Sequence, residues 1–457
     1  MNHLFLFTSV TAFVMGGMFV GYLGALLVPY LTQRRGASGD PGRYEWHFFI
    51  PCRDEEAVIG GTIANLRSQF RHAHVWVADD ASTDRTADKV QAIADTDSHV
   101  HLRRRVLPDA RTGKSDALNA LYRDLDDWLP PEIDRTSAIV CVVDADGRLR
   151  GDCLEAVTGP RRFGDARVAA VQVGVRMMNR TDRHPLAAQR PKAGRLRSAF
   201  ARLLVRMQDL EFQGPILALQ LARRHSRTVG MGGNGQFTRM SALDAVAGDD
   251  RRPWHGSLLE DFELGVHLLL RGYRTAFAHD TWVDQEGLPR LDRLITQRTR
   301  WSQGNMLCIK YLPAVWRNPA LTNLGAIEVA YFLLQPWLQL VGTFVYALPV
   351  IAFGVVAVVH PDLVFGAATA DAWLTWTVLM ALGIGQFALW GPIYVLKVER
   401  TARLRQGIGW GLSYAAYVLL FYVTAWRAFV RILRGKHGWS KTRRNAETGG
   451  ATVAVEA

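Results

Sequence analysis

The chain has 457 residues, longer than one typical domain, and its 49% hydrophobic content with 14 Trp is high for a wholly soluble protein. A formal net charge of +12 invites a nucleic-acid partner, but four membrane-type segments and the lack of a recognisable nucleic-acid module count against that class. The four cysteines, Cys52, Cys141, Cys153 and Cys308, show neither metal-ligand spacing nor a disulfide framework and fit a reducing compartment.

In chain order, residues 4–31 carry no charge, and at about 1.5 Å per helical residue they exceed the roughly 30 Å hydrocarbon core of a bilayer. This predicts a membrane anchor over 1–35. A cleaved signal would put a basic segment before a shorter apolar run. Arg34 and Arg35 follow directly, so the positive-inside rule places the next domain in the cytoplasm of a multi-pass plasma-membrane protein. The GASGDPG run at 36–42 is a linker by composition.

Over 45–315 the pattern becomes soluble α/β. Apolar runs at 46–50, 75–78, 138–143 and 168–173 read as strands, separated by helical patterns such as 55–70 and 86–94. That alternation predicts a mostly parallel sheet with ligands at the carboxyl ends of its strands, where Asp79, Asp80, Asp144 and Asp146 stand. Over 195–224, Leu196, Phe200, Leu203, Met207 and Leu210 recur at steps of three and four between arginines, which predicts a basic interfacial helix on anionic lipid. The alternative is that the same stripe packs on the soluble domain.

From 325 to 430 three apolar stretches return, at 329–359, 372–396 and 407–426, as transmembrane or interfacial helices. Pro336 is expected to break the first into an interfacial helix and a span. Basic clusters flank the last stretch on both sides, so either it is re-entrant or interfacial, or one cluster lies outside. The basic tail, 431–457, is expected in the cytoplasm.

Five segments carry chemistry. VVDADG puts Asp144 and Asp146 two positions apart at the end of a buried strand, where both can face a ligand, and hard ions such as Mg²⁺ or Mn²⁺ prefer such oxygens and share them with substrate phosphates. Capping of the next helix is the plainer use of a strand-end Asp. VADDASTDRT offers acidic and hydroxyl groups to a base and ribose, or a capped turn. In RTGKSDALNAL, Gly113 and Lys114 open a helix whose N-terminus favours a diphosphate, although a helix-surface lysine is commonly just exposed. LLEDFELG embeds Glu260, Asp261 and Glu263 among Leu259, Phe262 and Leu264. An acid there is costly to bury without a partner or a task such as general base; a helix start rich in acids for dipole reasons is the alternative. QRTRW supplies Arg298 and Arg300 for phosphate charge and Trp301 as a platform for a sugar ring, or an interfacial Arg-Trp anchor.

Together, in register from about Phe48 to Tyr311, these motifs resemble the membrane-bound family 2 glycosyltransferases with a Q-x-x-R-W motif, a group that includes cellulose, chitin, hyaluronan and poly-N-acetylglucosamine synthases and β-monoglucosyldiacylglycerol synthases. The resemblance implies a GT-A α/β (Rossmann-like) catalytic domain beside an α-helical transmembrane region, and an inverting transfer of a hexose from a UDP-sugar. By the same resemblance Asp54, Asp80, Lys114, Asp144, Asp146 and Arg300 hold the donor, Asp144 and Asp146 hold Mg²⁺ or Mn²⁺, Asp261 is the base, and Gln297, Trp301 and Glu260 meet the acceptor. PCRDEE departs from the commoner P-x-x-N-E-E, and Asp54 loses an amide donor there. GGNGQFTR at 232–239 and VDQEG at 283–287 look closer to the glycolipid synthases, which favours glucose and a lipid acceptor such as diacylglycerol. GWSKTRR at 438–444 is similar to a gating segment of polysaccharide synthases, so a processive synthase extending a glycan is the alternative. A non-catalytic nucleotide-binding membrane protein is the further one. Membrane lipids are expected partners and nucleic acid is not.

Overall fold

The computed structural model describes residues 20–186, 194–361 and 381–436. The expected anchor therefore falls largely outside the described residues, as do the start of the 372–396 stretch and the GWSKTRR segment. Eight strands form one sheet: β1 (Glu45–Cys52), β2 (His74–Asp80), β3 (Val100–Arg105), β4 (Ala138–Val142), β5 (Arg148–Leu149), β6 (Val168–Met177), β7 (Gln236–Arg239) and β8 (Arg274–Gln285), in the order β3-β2-β1-β4-β7-β6-β8-β5. The first four are parallel, as the sequence predicts. β6 and β8 pair parallel as well, and the departures are β7, antiparallel between β4 and β6, and β5, antiparallel to β8. The sheet is mixed.

Period-two alternation sorts the core into two layers. Trp46, Phe48 and Ile50 of β1 face α1 (Ile59–Gln69) through Ile59, Ile63 and Leu66. Phe49 and Trp76 face the opposite layer, where α3 (Lys114–Trp128) brings Leu118, Leu121 and Leu125. Helix α2 (Thr86–Ala94) has the bounds its sequence pattern gives. These layers leave the carboxyl ends of β1, β2 and β4 at one edge.

At the other edge sits a stack of histidines. His47 and His74 lie 5.6 Å apart by ring centroid, His74 and His101 5.3 Å, and Trp76 covers His101 at 3.9 Å. Burial, reinforced by mutual repulsion, lowers His47 to about 3 and His74 to about 4. Both are neutral in the fold at pH 7 and take up a proton only on unfolding as the pH drops. Their contribution is therefore complete above the ordinary histidine value and is lost as the pH falls from there towards the folded values, at about 1.4 kcal/mol per pH unit for each such group. The thermal midpoint should fall steeply between pH 6.5 and 4, and His47→Gln should flatten that fall by about one proton. Equal slopes in the two proteins would remove His47 from the account.

The 195–224 segment forms α4 (Arg195–Glu211) and α5 (Leu217–Ser226), joined without a break by a π turn at Phe212–Ile216 that contains Pro215. From Ala201 onward its apolar stripe, with Leu204, Met207, Leu210 and Leu221, packs into the core, whereas Leu196 and Phe200 in the first turns are exposed. After α6 (Glu260–Leu270) and α7 (Leu291–Leu307) come α8 (Asn323–Val359), α9 (Trp390–Lys397), α10 (Leu404–Tyr417) and α11 (Leu419–Leu433). Among the described residues two stretches are long and apolar enough to cross a bilayer, Asn323–Phe344 and Leu404–Leu433. Along them Ile327, Leu338 and Val341, then Ile408, Leu412, Leu419 and Val423, stand exposed, an outward apolar face that water would not favour.

Pro336 does not break α8, contrary to expectation: the helix runs through it. A proline there has no N–H for the carbonyl of Phe332 one turn back. Asn305 of α7 supplies the missing donor, its Nδ2 lying 3.0 Å from the Phe332 oxygen. The antiparallel pair α9 and α10 is held closer still. A Cβ on Gly411 would lie 1.8 Å from the Ala388 oxygen, and one on Gly391 2.1 Å from the Gly407 oxygen, so only glycine lets the backbones touch.

Candidate functional site

The carboxyl ends of β1, β2 and β4 and the first turns of α3 and α6 open into one cavity of about 950 Å³. Its polar end gathers Lys114, Asp144, Asp146, Glu260 and Asp261, and Gln297, Arg300 and Trp301 of α7 line it as well. Seven of the ten residues singled out from sequence for donor, metal, base or acceptor thus share one wall with Lys114, and Asp80 lines it too. Asp54 does not.

Lys114 begins α3 behind Gly113, whose φ of 147° suits a residue without a side chain. Its Nζ lies 3.0 Å from Asp144 and 3.1 Å from Glu260. Burial works against the ammonium, but Asp144, Glu260 and Asp261 together outweigh it and raise its pKa. The lysine is therefore a fixed cation. Asp261 sits one residue into α6 with its carboxylate accepting from the Phe262 N–H at 2.7 Å. Burial, then the charge of Glu260, raise its pKa to about 7, with Lys114 opposing. A carboxyl held near neutrality can take a proton and release it. The third acid of that motif has other work: Glu263 is fully buried and accepts from Tyr311 Oη at 2.6 Å and the Ser257 N–H at 3.1 Å.

A glycine turn closes over these groups. Gly233 has φ +72°, and a Cβ on it would come within 2.8 Å of Asp261 Oδ2 and 3.4 Å of Lys114 Nζ. The next residue, Asn234, accepts from the Asp144 N–H at 3.1 Å and donates to Gln285 at 3.0 Å. Asp146 in turn accepts from the Glu286 N–H at 3.2 Å. GGNGQFTR and VDQEG thereby shape the D-A-D loop, a role that local sequence pattern did not disclose.

Two donor candidates also hold partners within the protein. Asp54, at φ +51°, accepts from the Thr83 N–H at 2.7 Å and Thr83 Oγ1 at 3.1 Å, lacing the first two strand loops together. Its departure from Asn is mild in this respect, because Asn and Asp both tolerate the left-handed region. Asp80 is buried and binds Arg105 and, at 2.9 Å, the Arg111 N–H through one carboxylate oxygen. Arg298 departs furthest from expectation as a phosphate ligand. It is buried, pairs with Glu211 at 2.7 Å and lays its guanidinium 4.1 Å from the Trp301 ring centroid, so its charge is neutralised within the protein. Tyr417 of α10 also donates to Glu211, at 2.8 Å. Glu211 was missed in the sequence; the sign of it was a pair of acids, Asp209 and Glu211, at the end of an otherwise basic amphipathic helix.

Asp144 and Asp146 both reach the cavity and offer only oxygen, the donor type Mg²⁺ or Mn²⁺ takes. Among the described residues no group of three or more His, Cys, Asp or Glu side chains is placed to hold an ion. These two carboxylates therefore fit an ion that completes its shell with substrate phosphates, and do not fit a self-sufficient protein site.

Residues 44–304, more than half of the chain, match the family described as "Glycosyltransferase like family 2". Over 360 residues the chain is 29% identical to the β-monoglucosyldiacylglycerol synthase of Synechocystis sp., covering 76% of this chain and 62% of that protein. The Nostoc sp. protein of the same name is 28% identical over 261 residues, 56% of this chain and 47% of its own length. The chain thus spans less than two thirds of the length of the curated relatives it matches. A mannosyltransferase from Pyrobaculum calidifontis, solved with GDP-Man and Mn²⁺, superposes with a TM-score of 0.50 at 19% identity over 93% of this chain and 99% of that one. A GT-A-like mixed sheet, with its acids gathered where the parallel strands end, is accordingly the fold, and the chain belongs to the family 2-like glycosyltransferases.

Proposed function

We propose that this protein transfers a hexose, with glucose as our choice, from a UDP-sugar to the hydroxyl of a membrane lipid such as diacylglycerol, with inversion at the anomeric carbon. One observation carries the reading. The cavity that holds Asp144, Asp146 and Asp261 continues without interruption between apolar side chains of the helices, among them Leu23, Leu219, Val341, Phe387 and Val418. A charged nucleotide and an apolar chain would share such a space, each at its own end. The relatives' names add support for a glycolipid product.

In this reading Asp261 takes the proton of the acceptor hydroxyl, and the oxygen attacks the anomeric carbon opposite the diphosphate. The new carbon–oxygen bond forms as the bond to UDP breaks, UDP carries away the electron pair, and the proton rests on Asp261. Lys114 and Arg300 face the diphosphate, Gln297, Glu260 and Trp301 position the acceptor and sugar, and Asp80 lies towards the uridine. Asp144 and Asp146 would hold a Mg²⁺ or Mn²⁺ ion, which supplies charge neutralisation to the leaving group. The domain over 45–315 then works at the cytoplasmic face of the plasma membrane. The helices flanking it, at Val20–Thr32, Asn323–Phe344 and Leu404–Leu433, lie in the bilayer.

Membranes from a host expressing the protein, given radiolabelled UDP-glucose, should yield an organic-extractable monoglycosyl lipid. Label held in water-insoluble or high-mass glycan would replace this reading with a processive synthase. UDP binding with no transfer to either acceptor would leave a nucleotide-binding membrane protein.

A further inference from the structure

Arg223, on α5, lines the cavity on the side of the apolar wall and is 3% exposed. Its Nε lies 3.3 Å from Glu328 of α8, and its guanidinium stands 5.0 Å from the Phe332 ring. The Nη2 donor has no hydrogen-bond partner among the described residues. Leaving a buried charged donor unsatisfied costs more than a typical hydrogen bond gains, so the position is stable in proportion to what an incoming acceptor atom supplies. A glycine backbone packs directly beside it. A Cβ on Gly230 would lie 3.0 Å from Arg223 Nη1, and Gln220 fixes that glycine from both sides, at 2.7 Å to its oxygen and 2.9 Å to its nitrogen. Gly230 is three residues before Gly233, the glycine that touches Asp261. Extended chain bounds their separation at on the order of 10 Å, within reach of a glycerol unit and its first ester.

Charge decides what the notch takes. Glu328 already balances the guanidinium, so a phosphate entering here would bring an uncompensated negative charge beside that carboxylate, in surroundings where Met231, Phe262 and Phe332 exclude water. A neutral carbonyl oxygen brings none. We propose that Arg223 donates a hydrogen bond to an acyl-ester carbonyl of a neutral glycerolipid and so sets its free hydroxyl at Asp261. This rests on the lipid-acceptor reading above and adds the atom by which the lipid is recognised.

The test compares dioleoylglycerol with its diether analogue, which keeps the chains and the hydroxyl but lacks both carbonyls, using the full chain in micelles free of other glycerolipids. Binding is read with a fluorophore on one chain, and transfer with UDP-glucose. The diether should bind about tenfold more weakly and show a KM raised by the same factor, the scale of one lost hydrogen bond to a charged donor. In the paired variant Arg223→Met with Glu328→Gln, which strands no buried charge, the ester-to-ether ratio should fall to near one while UDP affinity is kept. The wild-type comparison stands even if that variant does not fold. Equal binding of the two lipids by the wild type, an ester preference that survives in the variant, or stronger binding of a polyprenyl phosphate would each overturn the assignment. Ester-selective binding without glucose transfer would uphold the notch and sink the transfer reading instead.

Discussion

Asp261→Asn should lower kcat by a factor of at least about a hundred while UDP binds almost as before. The amide keeps the shape and the hydrogen bond to the Phe262 N–H but cannot take the acceptor proton. With Asp261 as the proposed base its carboxylate is the working form, so kcat/KM should rise with pH along a limb set by its raised pKa, near 7 in the free enzyme. Loss of the partly buried charge also relieves Glu260, so the variant should fold at least as stably as the wild type, which separates a chemical defect from a structural one. A variant retaining more than about a tenth of the wild-type rate would move the base to another acid, and Glu260 is the nearest. Glu263 is a poor substitute, being sealed behind Tyr311 and Ser257.

Asp146→Ala should remove activity together with the part of UDP affinity that depends on Mn²⁺ or Mg²⁺. Two carboxylates are all the described cavity offers an ion at this loop, and deleting one leaves a site with too few protein oxygens to hold it before the diphosphate arrives. Calorimetry with UDP, with and without metal, is the measurement. Metal-dependent UDP binding that survives in Asp146→Ala would place the ion elsewhere, whereas loss of both metal-dependent and metal-independent affinity would point to collapse of the loop that Asn234 and Glu286 support.

The parts of the fold that could be read in the sequence are those written in local periodicity. Strands β1, β2, β4 and β6 are continuous apolar runs because both faces are covered, and α2 and the start of α3 follow turn and cap residues that act on their own neighbours. The same locality explains the order of the acids around the cavity. What was not legible depends on distance. Strand β7 is four residues bounded by Gln236 and Arg239, too short and too polar at its ends to be recognised, and its antiparallel course is fixed only by β4 and β6 on either side. Arg298 reads as a phosphate ligand until Glu211, 87 positions earlier, is brought against it. Asp54 and Asp80 read as nucleotide contacts, and the sequence does not show that Thr83, or Arg105 with Arg111, already engages one oxygen of each. A motif names residue types; their partners are chosen by the chain's long-range closure.

The bond from Asn305 to the Phe332 carbonyl gives Pro336 and Asn305 a shared fate. Alanine at 336 restores the N–H that Phe332 lost, and that carbonyl can then accept without the asparagine; alanine at 305 with the proline kept leaves it bare inside the protein. Asn305→Ala alone should destabilise, and it should cost less when Pro336→Ala is already present, a non-additivity on the order of 1 kcal/mol in a double-mutant cycle. Through this pair the helix that bears the Q-x-x-R-W residues is fastened to an apolar helix by a defect in the latter, so drift in the apolar segment is constrained from inside the glycosyltransferase domain. Among descendants of this chain Asn305 should be replaced only where Pro336 has been.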